Sequence, residues 1–223
     1  MAVLARTGAA IAVASLAMGL LTTWPAFADE LHPGASPEQL AAIAKAGDFL
    51  TEYGVDQPTQ DALFEKFLAG ERWDSFKSTS ARARVEAYDE DGYHKTVSYY
   101  SDGSVAVSRI EIPVAPDDPT NDTNGCTIGS NGARTNCSVD TWVGLISLGF
   151  KANWNVNSNT VSSVWGASWT IGGACSSSLA YLGRPNSNTG LETVAAQMCG
   201  VPFSTSFNLQ VQLSGGKATE SWW

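Results

Sequence analysis

The residues of this chain able to do chemistry are few. Its 223 residues hold four cysteines, Cys126, Cys137, Cys175 and Cys199, and two histidines, His32 and His94. No C-x-x-C spacing occurs, which leaves the cysteines to disulfides rather than to zinc or redox exchange. Neither G-x-S-x-G nor H-E-x-x-H is present, and a Ser-His-Asp site would have to borrow its histidine from far upstream of the serine-rich C-terminal half. From Cys126 onward the carboxylates are Asp140, Glu192 and Glu220. No two lie close in sequence, as a facing glycosidase pair placed on one turn would. Oxygen donors do cluster at Asp117, Asp118, Asn121, Asp122 and Asn124, but the calcium-loop register fails because no Glu closes the run. His94, on a polar hairpin, has the character of an ordinary strand residue. The inventory points away from an enzyme, and neither a cofactor nor a metal is expected.

The elements that carry these residues begin with an address. Arg6 is the only charge before Asp29; an apolar run from Gly8 to Leu21 follows it and ends in Ala26-Phe27-Ala28. That is the pattern of a secretory signal peptide over residues 1–28, cut to leave Asp29 first. The run is short for a membrane span, so a secreted, extracellular chain is expected.

Charge then divides the remainder. Residues 29–125 carry 8 Lys/Arg and 19 Asp/Glu, whereas residues 126–223 carry 4 and 3. The border, "PVAPDDPTNDTNG" over 113–125, has linker composition. We therefore expect an acidic unit at 29–112, a linker at 113–125 and a second unit at 126–223. Neither unit is basic enough to hold a phosphate backbone, which argues against nucleic acid.

In the acidic part, Ser36 with Pro37 and Glu38 opens one helix that ends at Gly54, and Asp56 or Gln57 with Pro58 opens another that ends at Gly70. Asp91-Gly92 and Asp102-Gly103 are hairpin turns between strands near 83–89, 93–100 and 104–112. Val85, Ala87, Val97, Tyr99, Val105 and Val107 are expected to share a face.

In the neutral part, Asn131-Gly132 lies midway between Cys126 and Cys137. A two-residue type I′ turn there makes cross-strand partners sum to 263, which sets Cys126 opposite Cys137 and leaves Cys175 for Cys199. Eight strands are expected, near 126–130, 133–139, 145–156, 161–171, 178–183, 191–199, 203–213 and 217–222. The fold class is mainly β: an antiparallel β-sandwich or barrel preceded by a small α+β region of two helices and a three-strand meander. Strand parity sets Trp142, Trp154, Trp165 and Trp169 in register with the aliphatic core. Trp222 and Trp223, being adjacent, must point to opposite faces. Asn208, Gln210 and Gln212 fall on the outward parity of their strand.

The stretches "FLAGERWDSF", "YYSDGSVAVS" and "WVGLISLGFKANW" resemble uncharacterised secreted proteins of actinobacterial type. The resemblance implies export and a disulfide-bonded β-rich C-terminal domain and brings no activity. The composition points to a secreted non-catalytic binding protein for cell-surface or extracellular polysaccharide, with Trp222, Trp223, Asn208, Gln210 and Gln212 as candidate contacts. The alternative is an exported effector, an antimicrobial toxin or protease inhibitor, with residues 29–125 as a pro-region or solubiliser.

Overall fold

The computed structural model describes residues 34–77, 79–116, 125–199 and 204–223. The expected signal peptide, the oxygen-donor cluster from Asp117 to Asn124 and Phe203 lie outside the described residues.

Two helices come first. In α1 (Pro37–Glu52), Ser36 and Gln39 form a reciprocal capping box, each side chain accepting from the other's backbone N–H. In α2 (Gln57–Leu68) the cap is Asp56, which accepts from the Thr59 N–H at 2.9 Å. The strands are β1 (Arg82–Glu90), β2 (Tyr93–Tyr100), β3 (Val105–Glu111), β4 (Thr127–Ile128), β5 (Ala133–Trp142), β6 (Ile146–Asn155), β7 (Thr160–Ile171), β8 (Ala174–Asn186), β9 (Thr189–Met198), β10 (Ser204–Ser214) and β11 (Lys217–Trp222). They form two antiparallel sheets. The larger has the order β1-β2-β3-β5-β6-β7, with β4 paired to β5, and the smaller the order β11-β10-β9-β8.

The sheets pack as a β-sandwich. Val139, Leu148, Phe150, Ala152 and Trp154 of the larger sheet meet Val194, Phe207, Leu209, Val211 and Leu213 of the smaller, all buried. The helices close one end. A Cβ added at Gly172 would lie 2.9 Å from that of Ala42, and one at Gly173 2.5 Å from the Phe67 ring. Gln39 Nε2 donates to the Cys199 carbonyl at 3.2 Å. Trp73 is fully buried there and donates from Nε1 to the Leu63 carbonyl at 2.6 Å. Among the described residues no helix is long and apolar enough to cross a membrane.

The composition border at 113–125 joins two strands of one sheet. β3 pairs with β5 through Val107↔Trp142, Ser108↔Thr141, Arg109↔Asp140 and Ile110↔Val139, and one core cluster spans both halves. Limited proteolysis that cuts within 113–125 should therefore leave two fragments that co-elute on size exclusion without denaturant. A C-terminal fragment eluting alone would contradict this pairing.

Both disulfides are those expected, Cys126–Cys137 and Cys175–Cys199. The turn behind the first differs from the expectation. Thr127 pairs with Thr135 and Ile128 with Arg134, so partners sum to 262, not 263. Asn131 and Gly132 do take positive φ, but Gly129 N–H bonds the Ala133 carbonyl, which makes the loop three residues long. A β-bulge between Arg134 and Cys137, with Asn136 at φ 63°, then supplies the missing residue and brings Cys137 to Cys126. Non-reducing peptide mapping should recover these two links; Cys126 linked to Cys175 or Cys199 would refute the hairpin.

Two parity expectations need correction. Asp91-Gly92 forms a two-residue loop, so Val85 pairs with Ser98 and Ala87 with Thr96, while Val97 pairs with Glu86. An odd partner sum sets odd residues of β1 beside even residues of β2. Val85 and Ala87 consequently lie on the face opposite Val97, Tyr99, Val105 and Val107, and Val85 is 49% exposed. The tryptophans are the second case. Trp154 is buried at 3% exposure, and Trp169 lies opposite Leu148 on the core face, half-buried. A bulge beside Gly166 (φ 68°) flips the parity between them, so Trp165 pairs with Lys151 on the outer face. Trp142 belongs to β5, where Cys137, Val139 and Thr141 take the core side. It lies outward beside Val107, against the helical side of the sheet.

Candidate functional site

The outer face of the four-stranded sheet is where the expected contact residues come together. β10 alternates strictly: Phe207, Leu209, Val211 and Leu213 are buried in the sandwich, leaving Ser206, Asn208, Gln210 and Gln212 outward. Asn208 and Trp223 exchange both backbone hydrogen bonds, at 2.9 and 3.1 Å. Directly opposite residues share a face, so Trp223 lies outward beside Asn208. Trp222 pairs with fully buried Leu209 and packs on the core. The two terminal indoles therefore split as adjacent strand residues must. Trp222→Ala should lower the melting temperature markedly and Trp223→Ala only slightly; equal effects would contradict the register.

One row across the sheet has a distinct composition. Asn208 pairs with Thr193 and Thr193 with Tyr181, so the row runs from Trp223, the residue after β11, through Asn208 of β10 and Thr193 of β9 to Tyr181 of β8. Thr193 Oγ1 donates to Asn208 Oδ1 at 2.8 Å, and Asn208 Nδ2 reaches the Trp223 carbonyl at 3.3 Å. These bonds fix the amide between two aromatic side chains. With neighbouring strands about 4.8 Å apart, the aromatics stand roughly 14 Å apart across three spacings. The flanking rows are Ser221, Gln210, Leu191, Gly183 on one side and Ser206, Ala195, Ser178 on the other. At the strand ends on the second side lies an open depression of 790 Å³ lined by residues of both parities: Ser176, Ser178, Ser206 and Gln197 from the outward face, and Ser177 and Thr205, which pair with inward Ala196. Among the described residues, Lys217, paired with Ser214 at the start of β11, is the charged side chain in this register.

Tyr181 and Thr193 escaped the sequence reading. β8 carries bulges at Ala174/Ser176, Leu179/Tyr181 and Gly183/Asn186, and each resets the parity from which an outward tyrosine would be read. Only the 39% exposure of Tyr181 reveals it.

The carboxylates of the C-terminal half are all engaged or enclosed. Asp140 lies on the outer face of the larger sheet and accepts from Arg109 Nε at 3.0 Å. Burial pushes its carboxyl above the usual range, against the pull of Arg109. Glu220 accepts from the Ser108 hydroxyl at 2.9 Å across the sheet edge. Glu192 has no exposure at all: it points into the sandwich between Leu209 and Leu182, and among the described residues neither oxygen has a hydrogen-bond partner. Desolvation raises it to about 8; the nearby Gly149 amide pulls the other way without completing a bond, and the Asp140 charge adds to the rise. Among the described residues no group of three His, Cys, Asp or Glu side chains could hold a metal ion. His94 pairs with Asp89 at 2.8 Å on the exposed β1–β2 hairpin, away from this face.

No protein family, curated protein or solved structure matches the chain.

Proposed function

We propose that this is a secreted, non-catalytic binding protein whose four-stranded sheet recognises a neutral polysaccharide on its uncovered face. The observation that carries the reading is the row Tyr181, Thr193, Asn208, Trp223. Aromatic rings stack on the apolar faces of sugars, while amides and hydroxyls exchange hydrogen bonds with the sugar hydroxyls. Side chains on a rigid sheet lose little freedom on binding, which favours a weak, extended ligand. The scarcity of charge on this face argues for an uncharged polymer. The engagement of Asp140 and Glu220 and the enclosure of Glu192 support binding without chemistry.

The effector reading, with residues 29–125 as a removable pro-region, fares less well. Release would strip β1 to β3 from the larger sheet and uncover the apolar end now closed by α1 and α2.

Retention on insoluble neutral polysaccharides, compared with anionic ones, tests the proposal. Wild type should be retained on a neutral polymer with little change between low and high salt, since no ion pair is involved. Trp223→Ala should lose about tenfold in retention, a loss of one stacking contact, at nearly unchanged melting. Retention only on anionic polymers, abolished by salt, would overturn the proposal.

A further inference from the structure

We infer that the groove between α1 and the larger sheet is a second binding site, one that takes a small amphipathic monocarboxylate. It consists of two chambers on the side of the molecule away from the polysaccharide face. The first, of 410 Å³, lies between α1 and the end of the sheet, with Ala41, Ala42 and Phe49 facing Trp142, Leu145 and Ile146. The second, of 220 Å³, is lined by Phe49, Glu52 and Tyr53 of the helix and by Lys95, Val107, Arg109 and Trp142 of the sheet. Phe49 and Trp142 wall both chambers, so the two adjoin. Their combined size suits a small ligand.

The chambers differ in chemistry. The first is mainly apolar, because small side chains at Ala41 and Ala42 leave room beside the two aromatic rings. The second presents a prepared cation. The Arg109 guanidinium lies 3.9 Å from the Tyr93 ring centroid and 4.4 Å from that of Trp142. Its Nε is fixed by Asp140 at 3.0 Å. Among the described residues its two Nη groups have no partner. A planar guanidinium locked by stacking and by one carboxylate loses little entropy when its free edge meets an acceptor. That edge matches the two oxygens of a carboxylate. Lys95, held by Glu90 at 2.9 Å, lines the same chamber and offsets the Glu52 carboxylate there, so that Arg109 is the cation left to meet an acceptor. A ligand with its carboxylate on Arg109 and its apolar body between Phe49 and Trp142 uses both halves of the groove. Asp140 here is a positioning residue, since it acts through Arg109.

Titration calorimetry of the full chain with octanoate, and separately with 1-octanol, tests this. Octanoate should bind one site at least tenfold more tightly than octanol. Arg109→Gln should remove that preference, and Arg109→Lys should restore only part of it, because charge survives and the fork does not. Ala41→Phe, at an exposed helix position, should fill the apolar chamber and weaken both probes. Trp223→Ala should change neither, which separates this site from the polysaccharide face. Melting curves confirm that each variant is folded. Equal binding of octanoate and octanol, no binding of either, or a preference that persists in Arg109→Gln would overturn the inference.

Discussion

Replacing Trp154 by alanine should cost about 3–5 kcal/mol, the range for truncating a large buried aromatic. For a chain of this size that corresponds to a fall in melting temperature of roughly 6–20 °C. The indole lies in β6 at 3% exposure, in line with Leu148, Phe150 and Ala152 on the core face. Its removal leaves a cavity that a framework of paired strands cannot collapse to fill. Trp165→Ala is the matched control. It is one strand away and has the same chemistry, but it lies with Lys151 on the outer face, so its loss should cost no more than about 1 kcal/mol. Differential scanning calorimetry of the two variants checks both figures. Equal losses would show that the bulge at Gly166 does not turn Trp165 outward.

The second large effect is electrostatic, and it opposes stability. Glu192 is raised from an ordinary carboxylate to about 8 by burial. Its neutral form is the one the fold tolerates. The stabilising state is therefore fully populated below the unfolded value, near 4.5, and is lost as pH rises from there through about 8. At one pKa unit per 1.36 kcal/mol, the loss across that window is roughly 3–5 kcal/mol. The melting temperature should fall between pH 5 and pH 8 and level off above. Glu192→Gln, which keeps the shape and removes the ionisation, should flatten the slope and melt higher than wild type at pH 8. Asp102 works in the opposite window. Burial alone would raise it, but the Ser104 hydroxyl, the N–H groups of Asp74 and Ser104 and the Lys66 ammonium outweigh burial and hold it below its usual range. Its contribution is lost only as pH falls below about 4, so the two groups do not mask each other. A melting temperature that rises between pH 5 and pH 8 would contradict the enclosed position of Glu192.

Much of the architecture was legible because its signals are local. Ser36, Pro37, Asp56 and Gly54 mark the helix ends by chemistry that needs no tertiary context. Each of the eight C-terminal strands overlaps its expected span, although β8 is longer and β4 shorter than the sequence indicated. Legibility failed at the bulges. One extra residue at Gly166 reversed Trp165, another beside Asn136 rescued a disulfide pairing derived from the wrong register, and three in β8 hid Tyr181. A period-2 argument carries no record of an inserted residue, and so its error grows with strand length. The sheet order was hidden for a different reason. Composition reported that residues 29–112 are acidic and residues 126–223 neutral, but the pairing of β3 with β5 depends on backbone groups, which composition does not describe. At the candidate site, the outward parity of Asn208, Gln210 and Gln212 followed from alternation in β10, which is free of bulges; for Trp222 and Trp223 the sequence showed only that they face opposite ways, and the pairing of Trp222 with Leu209 and of Trp223 with Asn208 decided which is outward. Thr193 and Tyr181 required the neighbouring strands.

The claim that the four-stranded sheet is a polysaccharide-binding face is tested most directly by hydroxyl-radical footprinting of the full chain with and without a retained neutral polymer. The reading predicts protection of Trp223 and Tyr181, the two ends of the row through Asn208 and Thr193, with Trp142, Trp165 and Phe49 unchanged. Protection of those three, with Trp223 and Tyr181 as reactive as in the free protein, would place binding on the other side of the sandwich and contradict it.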